Sequence, residues 1–170
     1  MGVNMKINVK NIDVNYIQYG EGKDILLLHG WGQNIEMMKP VGDNFSDKYR
    51  ITILDFPGFG QSEEPKTPWT IELYSNMLEE LTKKLKIKKP IVIGHSFGGK
   101  ISLLFASKYK VQKLILFGSP YKQEIKELSL KTKILKFLKK VPVINKLEGF
   151  AKKHIGSTDY RQASEIMRKI

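Results

Sequence analysis

Residues 91–100, IVIGHSFGGK, constrain this chain more than any other stretch. A β-branched apolar run passes directly into a segment of glycines around one serine. The run suits a buried strand and the residues beyond it suit a helix, so the glycines mark a strand-to-helix turn. Gly94, His95, Ser96, Phe97 and Gly98 satisfy the pattern G-x-S-x-G. In that context the small residues permit close approach of strand and helix, and the sharp turn presents Ser96 as a candidate catalytic nucleophile. The competing reading is a Gly-rich turn with no chemistry of its own.

The same letters also fit most of a phosphate-binding loop, because Gly94 is followed after four residues by Gly99 and Lys100. Such a loop needs Ser or Thr next, to place an oxygen on Mg²⁺, and Ile101 supplies none. Asp55, at the end of ITILD, precedes the loop where the acidic strand of a nucleotide-binding protein would follow it. Nucleotide binding is set aside on these grounds.

The rest of the chain predicts an α/β architecture. MKINVKNIDVNYIQYGEG alternates through Ile7, Val9, Ile12, Val14 and Tyr16 with an interruption at Asn11, as a two-stranded antiparallel start does. DILLLHG, YRITILDF, PIVIGHS and VQKLILFGSP are short, nearly continuous apolar runs and read as four buried strands. Tyr74, Met77, Leu78, Leu81 and Leu85 recur at helical spacing behind a cap at Thr70, and residues 97–109 read as a second helix. Strands alternating with helices give a mostly parallel sheet. After Pro120 the composition shifts to lysine-rich helical segments with no further strand, so residues 1–120 read as a core and residues 121–170 as a basic helical appendage.

The net charge of +12 raises the question of an anionic partner. It is concentrated in the last third: residues 111–170 hold 14 basic and 5 acidic residues, against 15 and 12 in residues 1–110. Only Arg50, Arg161 and Arg168 are arginines, whereas base edges and phosphates are read preferentially by that side chain, so no nucleic-acid partner is expected. No apolar run approaches the roughly 20 residues that cross a bilayer, and the start lacks a signal-peptide core; stable membrane insertion is not expected and a cytoplasmic location is. The basic amphipathic helix over 123–140 reads as a cap helix rather than a lipid-binding one. The absence of cysteine excludes disulfides and thiolate metal sites.

Two further stretches give the turn at Ser96 its company. LLLHGWGQN at 26–34 ends a strand in His29, Gly30, Trp31 and Gly32, and DFPGFGQS at 55–62 follows another. With these three motifs in this order, residues 1 to about 120 resemble the first part of the α/β-hydrolase family, and residues 121–170 resemble the start of that family's helical cap. The expected fold is therefore an α/β-hydrolase sheet with an antiparallel N-terminal hairpin, incomplete at its C-terminus. The resemblance implies Ser96 as nucleophile, the backbone amides of Trp31 and Phe97 as oxyanion hole, and His29, Gly30, Gly94 and Gly98 as supporting motif. The side chains of Trp31 and Phe97 fit an acyl pocket and the edge of the core equally well.

A serine at this turn, rather than an aspartate, favours the esterase branch over the haloalkane dehalogenase and epoxide hydrolase branches. The implied reaction is hydrolysis of a small-molecule carboxylic ester with an apolar acyl group, with no metal or organic cofactor. C–C bond hydrolysis, lactone opening, thioester hydrolysis and a menaquinone-pathway lyase use the same serine, and HGWG is also similar to the loop of pimeloyl-ester carboxylesterases. In this family the acid and the histidine come late, in the order Ser, Asp or Glu, His; neither is expected within these 170 residues. His29 is expected to brace its loop, His95 to point away from the serine's partner, His154 to lie on the surface, Asp55 to fix its own turn and Asp159 to cap a helix. The chain alone is accordingly expected to lack turnover and to self-associate through the sheet edge at KLILF. The alternative class is a noncatalytic binding module, a degenerate hydrolase or fragment.

Overall fold

The computed structural model describes residues 2–119. The basic segment 121–170, with His154, Asp159 and the helix expected over 123–140, lies outside the described residues.

The chain opens with a hairpin of β1 (Met5–Val9) and β2 (Ile12–Tyr19). Lys10 and Asn11 form its two-residue turn with φ of 53° and 60°, the left-handed geometry that matches the twist of paired strands. Next come β3 (Lys23–Leu28), α1 (Ile35–Asp43), β4 (Tyr49–Leu54), α2 (Ile71–Lys84), β5 (Ile91–His95), α3 (Phe97–Lys108) and β6 (Lys113–Phe117). The six strands form one sheet in the order β1-β2-β4-β3-β5-β6. The pairings β1–β2 and β2–β4 are antiparallel; β4–β3, β3–β5 and β5–β6 are parallel.

The continuous apolar runs of the inner strands follow from cover on both faces. Leu26, Leu28, Leu54 and Val92 point to the side where Tyr74, Met77, Leu78 and Leu81 of α2 and Ile101 and Phe105 of α3 complete the larger core. Ile25, Leu27, Ile51, Ile53, Ile91 and Ile93 point to the other side, against Ile35 and Met38 of α1. The period-2 alternation of a strand thus feeds two cores from one run of residues. Thr70 caps α2, its hydroxyl accepting from the Leu73 N–H at 3.4 Å.

Two features depart from the sequence expectation. Helix α1 is absent from it: Pro40 lies inside the helix and Gly42 near its end, and only Ile35, Met38 and Gly42 are buried, so the helical period is faint. Gly42 lets α1 settle onto the sheet, since a Cβ there would stand 2.8 Å from Ile51 Cγ2 and 3.0 Å from Leu27 Cδ1. The second departure is β6, expected as a buried strand. Its residues alternate instead, with Leu114 and Leu116 half-buried and Ile115 and Phe117 exposed at 47% and 42%. Among the described residues β6 has one strand neighbour, β5, and only α3 packs on it.

Candidate active site

Neighbouring parallel strands bring two loops to one end of the sheet. Leu28 of β3 pairs with Gly94 of β5, so the residues after each, 29–34 and 95–98, emerge side by side. Ser96 has φ 47° and ψ −105°, a left-handed conformation that costs a non-glycine residue on the order of 1–3 kcal/mol and persists only where its surroundings fix it. Its N–H donates to the Phe117 carbonyl at 3.1 Å, and its own carbonyl accepts from the Lys100 N–H at 3.2 Å. Among the described residues, no hydrogen bond engages the Ser96 hydroxyl, and the residue is half-buried.

Glycines make the turn sterically accessible. A Cβ on Gly94 would meet Ser102 Oγ at 2.5 Å and Gly99 Cα at 2.7 Å, because β5 and the start of α3 pack backbone to backbone. The Gly98 N–H donates to the His29 carbonyl at 3.0 Å, and the Gly30 N–H donates to Gln33 Oε1 at 2.9 Å. These bonds take up the amides that flank Trp31 and Phe97 in the sequence. Among the described residues neither the Trp31 nor the Phe97 N–H has a hydrogen-bond partner. Phe97 opens α3, where first-turn amides lack intrahelical partners and the helix dipole favours negative charge.

The side chains of these two residues answer the question the sequence left open. Phe97 is 8% exposed and sits at the centre of an aromatic cluster, 5.2 Å from the Trp31 ring, 5.6 Å from Phe56, 6.1 Å from Phe59 and 5.2 Å from Tyr74. It is core. Trp31 is half-buried at the rim of that cluster, edge-on to Phe59 at 5.1 Å, and forms an apolar margin beside the turn. Burial raises the Tyr74 phenol above its ordinary range. Its hydroxyl donates to the Pro57 carbonyl at 3.0 Å.

Among the described residues no hydrogen bond joins either histidine to the Ser96 hydroxyl. His29 is fully buried; its Nε2 accepts from the Phe56 N–H at 3.0 Å, which fixes the proton on Nδ1, and Nδ1–H donates to the Gly30 carbonyl at 2.7 Å. Burial pushes its pKa down to about 4, against smaller opposing effects of the Gly30 carbonyl and Asp55. His95 lies with its Nδ1 3.0 Å from Gln33 Oε1 and its ring stacked on Phe117 at 4.8 Å.

Asp55 organises the third loop. One carboxylate oxygen accepts from the Ile35 N–H at 2.7 Å; the other accepts from the Gln61 N–H at 2.9 Å and from Asn15 Nδ2 at 2.8 Å. Gly60, with φ 54°, passes so close that a Cβ would overlap that carboxylate. The Asp55 carbonyl accepts from Ser62 Oγ at 2.7 Å, and Ser62 Oγ accepts from the Asn15 N–H at 2.8 Å. Asp55 is thus a turn-fixing residue, as its motif suggested. Gln33 and Asn15 were missed in the sequence, where a polar residue in a loop or strand carries no mark of its long-range partner.

Among the described residues no group of three or more His, Asp or Glu side chains is arranged to hold a metal ion, and no helix is long and apolar enough to cross a membrane. A cavity of about 430 Å³ lined by Asn44, Phe45, Asp47, Lys48 and Tyr49 lies at the opposite end of the sheet, where β4 begins.

A serine held in a left-handed turn between a parallel strand and a helix, beside a loop on the adjacent strand whose Trp31 amide has no partner among the described residues, matches the core of an α/β hydrolase. The chain belongs to the α/β-hydrolase family: the family's sequence model, described as alpha/beta hydrolase fold, matches residues 24–137. It is 30% identical over 112 residues to the pimeloyl-[acyl-carrier protein] methyl ester esterase of Vibrio vulnificus, covering 63% of this chain and 41% of that protein. It is 28% identical over 123 residues to epoxide hydrolase 3 of Xenopus tropicalis, covering 69% and 34%. The crystal structure of an epoxide hydrolase from Vigna radiata superposes with a TM-score of 0.73 at 17% identity, covering 91% of this chain and 54% of that one. The chain therefore spans well under half the length of these curated relatives.

Proposed function

We propose that the chain carries the nucleophile and oxyanion hole of a serine hydrolase that cleaves a carboxylic ester with a small or medium apolar acyl group. The observation that carries the reading is the pair of unpartnered amides, Trp31 and Phe97, at the same sheet end as the strained Ser96. In this reading Ser96 Oγ attacks the ester carbonyl, its proton passes to a base, and the carbonyl oxygen takes up the negative charge. The two N–H groups donate to that oxyanion; one such donor is worth roughly 3 to 4 kcal/mol in a known protease. Collapse expels the alcohol, and water then releases the acid from the acyl-serine. No hydrogen bond joins His29 or His95 to the Ser96 hydroxyl among the described residues, and in this reading the base and the acid that orients it come from outside them.

An ester is favoured over an epoxide because a serine at the turn forms an acyl intermediate that water resolves. The apolar margin of Trp31 and Phe59 suits an uncharged acyl chain. A relative named as a methyl ester esterase is consistent with this. Reaction with a fluorophosphonate probe, together with turnover on p-nitrophenyl esters, acyl thioesters and an epoxide, tests it. Ser96→Ala is expected to abolish both labelling and ester turnover. Labelling that persists in Ser96→Ala moves the nucleophile elsewhere; a folded wild-type protein, in its full natural length, that neither labels nor turns over favours a noncatalytic binding module.

A further inference from the structure

The loop that offers the Trp31 amide is held by a residue on the other side of the turn. Residues 30–33 close on themselves through a reciprocal pair: the Gln33 N–H donates to the Gly30 carbonyl at 3.2 Å, and the Gly30 N–H donates to Gln33 Oε1 at 2.9 Å. A backbone N–H can only donate, so the atom facing Gly30 is the oxygen of the Gln33 amide. The His95 Nδ1 at 3.0 Å from the same oxygen must then carry a proton and donate to it. One carbonyl oxygen with two lone pairs thus receives one donor from the β3 loop and one from the residue immediately before Ser96. Gly30 makes room for both, since a Cβ there would stand 2.8 Å from Gln33 Oε1 and 2.8 Å from His95 Nδ1. The His95 ring is itself fixed by stacking on Phe117.

We propose that Gln33 and His95 are positioning residues that set the Trp31 N–H relative to Ser96, which rests on the reading of Trp31 as an oxyanion donor. The bridge spans 62 residues of sequence and joins the two loops whose separation defines the hole. His29 holds the same loop from the core side through the Gly30 carbonyl, and the Gly98 N–H ties α3 to the end of β3 through the His29 carbonyl; Gln33–His95 is the side-chain tie between the two loops.

Three substitutions separate the bond from the packing. His95→Phe keeps a ring against Phe117 and removes the donor; His95→Asn supplies an amide N–H close to the Nδ1 position; Gln33→Ala removes the acceptor. In ¹H–¹⁵N spectra of the 170-residue chain, Gln33→Ala and His95→Phe are expected to shift the Gly30 and Trp31 amides and to speed hydrogen exchange at Gly30 about tenfold, the worth of one net hydrogen bond. His95→Asn is expected to restore both toward wild type. The double variant Gln33→Ala with His95→Phe is expected to be no worse than the more severe single change, because the two share one bond. Unchanged Gly30 and Trp31 amides in a folded His95→Phe or Gln33→Ala protein, or no rescue by His95→Asn, overturns the proposal. The fate of the hydrolase reading is separate: it is decided by labelling in Ser96→Ala, whichever way the loop responds.

Discussion

The Gly98 N–H donates to the His29 carbonyl at 3.0 Å, tying the first turn of α3 directly to the end of β3. The bond exists because Gly98 has no side chain: a Cβ would lie 2.5 Å from the Leu28 carbonyl oxygen and 2.6 Å from that of His29. Both obstacles are backbone of a buried central strand and cannot swing aside. Gly98→Ala is therefore expected to push α3 away from β3, costing about 1–3 kcal/mol or more and losing reaction at Ser96. Urea unfolding and fluorophosphonate labelling of the same protein measure the two effects; an unchanged midpoint with full labelling would show that the contact is not needed.

Asp55 joins three segments with three accepted hydrogen bonds, and one of its donors is the first amide of α1. Asp55→Ala leaves the buried Ile35 N–H and the buried Asn15 side-chain amide without their acceptor and is expected to destabilise the fold by about 3 kcal/mol or more. Asp55→Asn should recover only part, because its NH₂ faces donors. Denaturant midpoints for the two variants give the ranking, and equal midpoints would contradict it.

Acid should weaken the fold through His29. Its folded-state pKa of about 4 lies below the ordinary 6.5, so between these values the unfolded chain binds a proton that the folded one refuses. The stability from neutral, buried His29 is complete above pH 6.5 and is lost as the pH falls toward about 4, amounting to roughly 3 kcal/mol over the window. His29→Asn does not titrate; it should be less stable than wild type near neutral pH, with the gap closing as the pH falls. A constant gap between pH 6.5 and 4 would rule His29 out as the source.

On β6, the outermost strand on its side of the sheet among the described residues, Ile115 and Phe117 are both exposed. An uncovered apolar strand edge is a template for pairing with a second copy. The 170-residue chain is expected to elute above monomer mass in size-exclusion chromatography with light scattering, and Ile115→Lys to shift it toward monomer. A wild-type monomer at all concentrations would remove this expectation.

Much of the fold was legible because its signals are local. The positions of β3, β4 and β5 follow from short, nearly continuous apolar runs, and α2 follows from a stripe at helical spacing with Thr70 in front. Helix α1 was illegible by the same standard, since Pro40 and Gly42 blur its period; the need for a crossover between the parallel strands β3 and β4 was the one available sign. For β6 the composition of KLILF marked a buried strand, and the open edge there was expected from the family resemblance alone, because the burial of such a run depends on what packs against it.

For the site, the sequence by itself determined that Ser96 would stand at a sharp turn between a strand and a helix, because Gly94 and Gly98 leave backbone room that no other residue leaves. It also marked Trp31 as a loop residue beyond a buried strand. Only the tertiary structure decided that the two belong together. The order β4-β3-β5 places the ends of β3 and β5 side by side, and that order is set by packing helices on both faces of the sheet, not by any local propensity. The same nonlocal packing buries Phe97 in an aromatic cluster while leaving its amide open, and brings Gln33 within 3.0 Å of His95. Such contacts have no sequence signature because the energy that selects them is shared across the whole core.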